Sequence, residues 1–171
     1  MATRSARLHP SVTRPANRRA EIAINKILAP TDFSSASKKA LKYALRFARS
    51  FGSEVILLHV LEPAISPTFE EGSEAPTFSK AEIADAEERL HKLAKSVRGP
   101  GVSAIRSIIR MGVAAHEIAG AVKEFDADLI VIATRGYSGW EHLVIGSTAA
   151  RVARAAACPV LVVREKEHDF V

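Results

Sequence analysis

The sequence predicts an α/β fold: a three-layer doubly wound sandwich around a five-stranded parallel sheet. Three observations predict it. Five short apolar runs punctuate the chain, at Ile27-Leu28-Ala29, Val55-Ile56-Leu57-Leu58-His59-Val60, Val102 to Ile109, Leu129-Ile130-Val131-Ile132-Ala133 and Val160-Leu161-Val162-Val163. Most of them are continuous rather than alternating, as strands covered on both faces are. The stretches between them repeat their apolar residues at helical spacing. Strands alternating with helices require parallel pairing and right-handed crossovers, with helices on both faces.

Each element carries its own signals. Pro30 stops the first run because it cannot donate to a ladder. Ser34 and Ser35 then offer helix caps. Ala40, Leu41, Ala44, Leu45, Phe47, Ala48 and Phe51 form one stripe, which Gly52 closes. After the second strand, residues 61–78 contain Pro63, Pro67, Gly72 and Pro76 and read as a long loop. Ser79 and Glu82 stand at capping-box spacing before a stripe of Ile83, Ala86, Leu90, Leu93, Ala94 and Val97. Gly99-Pro100-Gly101 ends that helix. The run from Val102 alternates enough to lie near a sheet edge. A short helix over Ala114 to Phe125 leads to the most hydrophobic strand. A glycine-bearing loop, a helix from about Ser147 to Ala156 and the last strand complete the pattern.

Length and composition bound the rest. A chain of 171 residues, 47% of them hydrophobic, suits one domain with a full core. No apolar run reaches the roughly 18 residues of a membrane span, and the polar beginning lacks the apolar middle of a signal peptide. Cys158 is the one cysteine, which excludes an internal disulfide and a multi-cysteine metal site and points to a cytoplasmic home. The net charge of +5 is local. Arg4, Arg7, Arg14, Arg18 and Arg19, with no acid among residues 1–20, account for all of it, so residues 21–171 are formally neutral. Such a domain has no net pull on nucleic acid. Residues 1–24 have no apolar period and read as a mobile basic arm, residues 25–164 as the domain, and 165–171 as a short tail. A transit peptide or a weak nucleic-acid or partner contact are the other readings of the arm.

In sheets of this kind ligands sit beyond the carboxyl ends of the strands, where the strand order reverses. After the first strand comes Pro30-Thr31-Asp32-Phe33-Ser34. Asp32 can accept hydrogen bonds from a ribose or an exocyclic amine, or it can cap the following helix. After the fourth strand come Ala133-Thr134-Arg135-Gly136-Tyr137-Ser138-Gly139 and then Gly146-Ser147-Thr148. Glycines let backbone N–H groups approach a phosphate, and Gly146-Ser147-Thr148 opens a helix whose N-terminus favours an anion. The plainer alternative makes Gly136 and Gly139 turns and Ser147 an N-cap.

Taken together, Ile27 to Ser34, Ile56 to Val60, and the close from Asp128 through Gly136 and Gly146-Ser147 to Cys158-Pro159 and the last strand resemble the universal stress protein family. The resemblance covers roughly residues 25–164. ATP-binding members of that family show Gly-x-x-Gly, nine residues, then Gly-Ser or Gly-Thr. Gly136 and Gly146 here have nine residues between them and Ser147 follows, while Ala133 replaces the first glycine. Ala114 likewise stands where the family often has proline after Gly112.

The resemblance implies an adenine nucleotide alpha-hydrolase-like fold, strand order 3-2-1-4-5, and a site for ATP or ADP with Mg²⁺. Pro30, Thr31 and Asp32 would border adenine and ribose. Val60 would touch the adenine, and Met111 and Gly112 would close its other side. Ala133 and Gly136 would face ribose and phosphates; Gly146, Ser147 and Thr148 would hold the phosphate chain. Arg135 is a phosphate cation or a solvent-facing side chain. It also implies a homodimer through Val160, Leu161, Val162 and Val163, an apolar last strand that should lie at a sheet edge.

Other chemistry-bearing residues fit bland roles. His59 reads as a hydrogen-bonded core histidine. His116 and His142 lack a second ligand at metal spacing. Cys158 reads as a small buried hydrophobe. Trp140 lies in the long loop, where it could cover a nucleotide or a partner. A stress-response regulator with at most slow hydrolysis is therefore the leading reading. The alternatives are a nucleotide-free dimerisation module and a nucleotide-dependent enzyme. The enzyme would need activating groups beside the phosphates, and neither a Gly-x-x-x-x-Gly-Lys-Ser/Thr loop nor a paired acid–histidine constellation appears in the sequence.

Overall fold

A computed structural model describes residues 22–63, 78–134 and 146–164. Its elements run β1 (Lys26–Pro30), α1 (Ser35–Phe51), β2 (Glu54–Leu61), α2 (Lys80–Val97), β3 (Ala104–Met111), α3 (Ala114–Phe125), β4 (Leu129–Ala133), α4 (Ser147–Ala155) and β5 (Val160–Val163). The five strands form one sheet in the order β3-β2-β1-β4-β5, and every pairing is parallel. The predicted alternation and strand order are both present.

The period of two along each strand sorts its side chains into two cores. Ile27, Ala29, Val55, Leu57, Leu129, Val131 and Ala133 face the layer that holds α1 and the Leu90 and Ala94 side of α2. Leu28, Ile56, Leu58, Ile130 and Ile132 face α3 and α4 through Ile118, Ala121, Val122, Ala149 and Val152. Burial on both faces is why these strands read as continuous apolar runs.

The ends obey local chemistry. Ser34 caps α1 by accepting from Ser37 N–H, and Gly52 closes it in the left-handed region at φ 71°. Ser79 and Glu82 form the predicted capping box on α2. Some bounds differ from expectation. β3 begins at Ala104 and runs on to Met111, because it pairs with β2 from Glu54↔Ala104 to Leu61↔Met111. Pro30 is the last residue of β1 rather than a stop before it.

Pro30 shapes the sheet as well. Lys26 O accepts from Asp128 N, and Thr31 N donates to Leu58 O. Strand alternation therefore turns the backbone of Lys26, Leu28 and Pro30 toward β4, and that of Ile27, Ala29 and Thr31 toward β2. The missing N–H of Pro30 faces β4, and the ladder between these two strands ends at Leu28↔Ile130. β1 and β4 part where the strand order reverses.

Candidate functional site

The parting of β1 and β4 opens at the carboxyl end of the sheet, and the first group beside it is the turn Thr31-Asp32-Phe33-Ser34. Thr31 is buried, and its Oγ1 accepts from Phe33 N at 3.0 Å and meets Ser37 Oγ at 3.1 Å. Asp32 is half-buried. Its Oδ1 accepts from Ser34 N at 3.0 Å and from Ser34 Oγ at 2.6 Å. The cap of α1 is thus Ser34, and Asp32 braces the cap instead of supplying it. Partial burial works to raise the Asp32 pKa, but hydrogen bonds from the Ser34 and Ser37 hydroxyls and the Ser34 backbone outweigh it. The carboxyl is held below its ordinary value of 3.8. Asp32 is an anion at neutral pH with acceptor capacity left for a ligand donor.

Phe33 has φ 66°, in the left-handed region that an aromatic residue rarely occupies. Its ring is buried against His59, with centroids 4.5 Å apart. His59 sits near the end of β2, half-buried, and its Nδ1 lies 2.8 Å from Thr31 O. That matches the structural role expected for it, bracing the Thr31 turn from the neighbouring strand.

Beyond β2, Gly112 N donates to Leu61 O at 3.0 Å, which keeps the Met111-Gly112 turn beside the end of β2 and near Val60. Gly112 has φ 141°, and a Cβ there would lie 3.0 Å from Glu117 Oε1. Met111 is exposed. No side chain of α3 caps its first turn. Glu62 Oε1 does so instead, accepting from Ala114 N at 2.6 Å. This contact replaces the proline often found there in the resembling family.

On the β4 side, Ala133 is buried and belongs to the core on the α1 face of the sheet. Thr134 N donates to Val163 O at 2.9 Å, and Gly146 N donates to Thr134 O at 2.6 Å. The start of α4 is thereby tied to the end of β4. Gly146 is the N-cap and makes no side-chain cap bond; Ser147 is the first helical residue and exposed, not the cap that the plainer reading made it. Among the described residues no N-cap side chain bonds the first N–H groups of α4, an arrangement that favours an anion. Thr148 lies half-buried in the same turn. Arg135, Gly136, Gly139, Trp140 and His142 lie outside the described residues.

Pro30 and the Thr31-Asp32 turn after β1, Val60 near the end of β2, Met111 and Gly112 at the end of β3, Ala133 at the end of β4 and Gly146 to Thr148 at the start of α4 thus all lie at one end of the sheet. Sequence reading missed the Ser37 hydroxyl, the strained Phe33 and Glu62. Cys158 is half-exposed rather than buried, and partial burial and the Asp128 carboxylate push its thiol pKa up, which favours the protonated thiol. Among the described residues no group of three or more His, Cys, Asp or Glu is placed to hold a metal, and no helix is long and apolar enough to cross a membrane.

A family model described as the universal stress protein family matches residues 23–164. A curated universal stress protein of Methanocaldococcus jannaschii is 35% identical over 154 residues, which cover 89% of this chain and 89% of that one. The solved universal stress protein UspA from Lactobacillus plantarum superposes with a TM-score of 0.73 at 25% identity, covering 84% of this chain and 99% of its own. A universal stress protein solved in complex with cAMP shares the fold, with a TM-score of 0.64 at 24% identity over 83% of this chain and 98% of that one.

Proposed function

The chain belongs to the universal stress protein family, and from that premise we propose that it is a stress-response regulatory protein that binds ATP or ADP at the carboxyl ends of β1 and β4. The observation that carries the reading is the bond from Gly146 N to Thr134 O, which fixes an uncapped helix start beside the opening made by Pro30. Phosphates would lie on the N–H and hydroxyl groups of Gly146, Ser147 and Thr148, with Arg135 and Gly136 in the loop before them. Asp32 would accept from the ribose or the adenine amine. Val60, Met111 and Gly112 would border the base.

A further point supports it. In the protein solved with cAMP, this fold houses an adenine nucleotide. Mg²⁺ would arrive with the nucleotide, held by phosphate oxygens and water, since that ion needs few protein carboxylates. Asp32 is engaged by Ser34 and held below its ordinary pKa, which makes it a poor base toward water, and hydrolysis would be slow at most. The protein works in the cytoplasm, and its domain includes Ile24, which packs on the α1 core and accepts from Ser53 Oγ at its carbonyl.

The second reading, a dimerisation module, is favoured by β5. Pro159 O and Val163 O accept from β4 at Ile130 N and Thr134 N, so alternation turns the N–H and C=O groups of Val160 and Val162 to the open edge. An apolar edge of this kind pairs readily, and a two-fold axis lets two copies satisfy each other. Homodimer formation is compatible with nucleotide binding. Native mass spectrometry of protein purified without added nucleotide tests both: bound ATP or ADP on a dimer supports the reading, and a nucleotide-free dimer favours the module alone.

A further inference from the structure

The turn that carries Asp32 is held in a conformation its own sequence disfavours. A left-handed φ of 66° at a buried aromatic residue costs energy and persists only where neighbours over-determine it. The neighbours come from separate elements. On β2, the His59 ring packs 4.5 Å from the Phe33 ring while its Nδ1 meets Thr31 O at 2.8 Å. On α1, Ser37 Oγ meets Thr31 Oγ1. On α2, the Arg89 guanidinium lies 4.3 Å from the centroid of the Phe33 ring. Arg89 is half-exposed and is itself oriented by Asp85 one turn earlier, at 3.6 Å. Otherwise α2 meets the core through the buried Ala86, Leu90 and Ala94 and the partly buried Leu93 and Val97, none of which reaches the Asp32 turn by a polar contact among the described residues. A guanidinium is the one long cation that is both planar and weakly hydrated enough to lie on a ring at a half-exposed site.

We infer that Arg89 is a positioning residue: resting on Phe33, it holds the Asp32 turn in its strained form and so couples α2 to the candidate nucleotide site. Asp32 Oδ1 is fixed by Ser34, the residue next to Phe33, so a shift of the ring moves the acceptor that would meet the ligand. Movement of α2, by whatever acts on that helix, then changes affinity at the site without touching it. The coupling to the turn stands on the geometry alone; the effect on affinity rests on the nucleotide reading.

Amide hydrogen exchange by NMR on the full chain, paired with ATP titration, separates the two. The Phe33 and Ser34 amides report the turn, because Thr31 Oγ1 and Asp32 Oδ1 accept from them. Arg89→Ala should speed their exchange about two- to fivefold, the range of a half-exposed cation–ring contact, while core amides such as Ile56 keep their rates. Arg89→Lys should recover part of the loss. Phe33→Leu should abolish the effect of Arg89→Ala in the double variant, because the contact runs through the ring. Unchanged exchange in Arg89→Ala, or effects that multiply independently in the double variant, would overturn the inference. If the wild type gives no ATP heat, the nucleotide reading fails and the exchange result still decides the coupling. If the wild type binds ATP and Arg89→Ala loosens the turn with affinity unchanged, α2 does not govern the site.

Discussion

Gly146 N donates to Thr134 O at 2.6 Å, so the residue that starts α4 is fixed to the residue that follows β4. Gly146 itself has φ −64° and ψ 155°, a conformation open to any residue. Glycine is therefore not required there by the backbone, and on the proposed nucleotide reading it would leave room for a ligand above it. Gly146→Val should fold with a loss of no more than about 1 kcal/mol, the scale of a poorer cap. ATP binding, followed by calorimetry, should disappear in the same variant. A variant that binds ATP normally would show that the phosphates lie elsewhere.

Asp32 should make stability depend on acid pH. Its folded pKa lies below the ordinary 3.8, so its contribution is present above that value and is lost as pH falls through the folded pKa. Urea unfolding of wild type and Asp32→Asn should differ most at neutral pH. The gap should close below about pH 4, in line with the reference value for an unperturbed aspartate. A gap that stays constant through that range would mean that the carboxylate charge is not what Ser34 and Ser37 stabilise.

Gly112→Ala tests the turn after β3. The φ of 141° is a region nearly closed to side chains, and the added Cβ would also press on Glu117 Oε1 at 3.0 Å. Glu117 can yield at its flexible end, although it is paired with Arg110. The backbone term dominates, and thermal or urea melts should show a loss of about 1–3 kcal/mol. No loss would mean that the turn relaxes to negative φ.

Val162→Pro tests the β5 edge. The N–H of Val162 points away from β4, so proline removes an edge donor without breaking the ladder within the chain. Light scattering should report a dimer for wild type and a mass near the 18.4 kDa monomer for the variant. A dimer of unchanged affinity in the variant would place the interface on another surface.

The fold was legible because burial on both faces leaves a continuous apolar run, as at Leu129–Ala133, and because caps such as Ser79 and Glu82 act within a few residues. The site was legible only as far as its chain order. Asp32 and Ser34 both suit an N-cap, and only the fold distributes the roles. Nothing in an aromatic side chain announces a left-handed backbone at Phe33, which follows from packing against His59 and Arg89. Glu62 reaches the start of α3 across 52 residues, a distance over which local patterns carry no signal. The place of Ala133 in the α1-face core follows from the period of two along β4 once its neighbours are known to face both cores.

Calorimetric titration of the purified protein with ATP in the presence of Mg²⁺ tests the central claim most directly. The account predicts saturable binding of one nucleotide per chain, abolished by Gly146→Val and weakened by Asp32→Ala. Folded wild-type protein that gives no heat above dilution at millimolar ATP would contradict it.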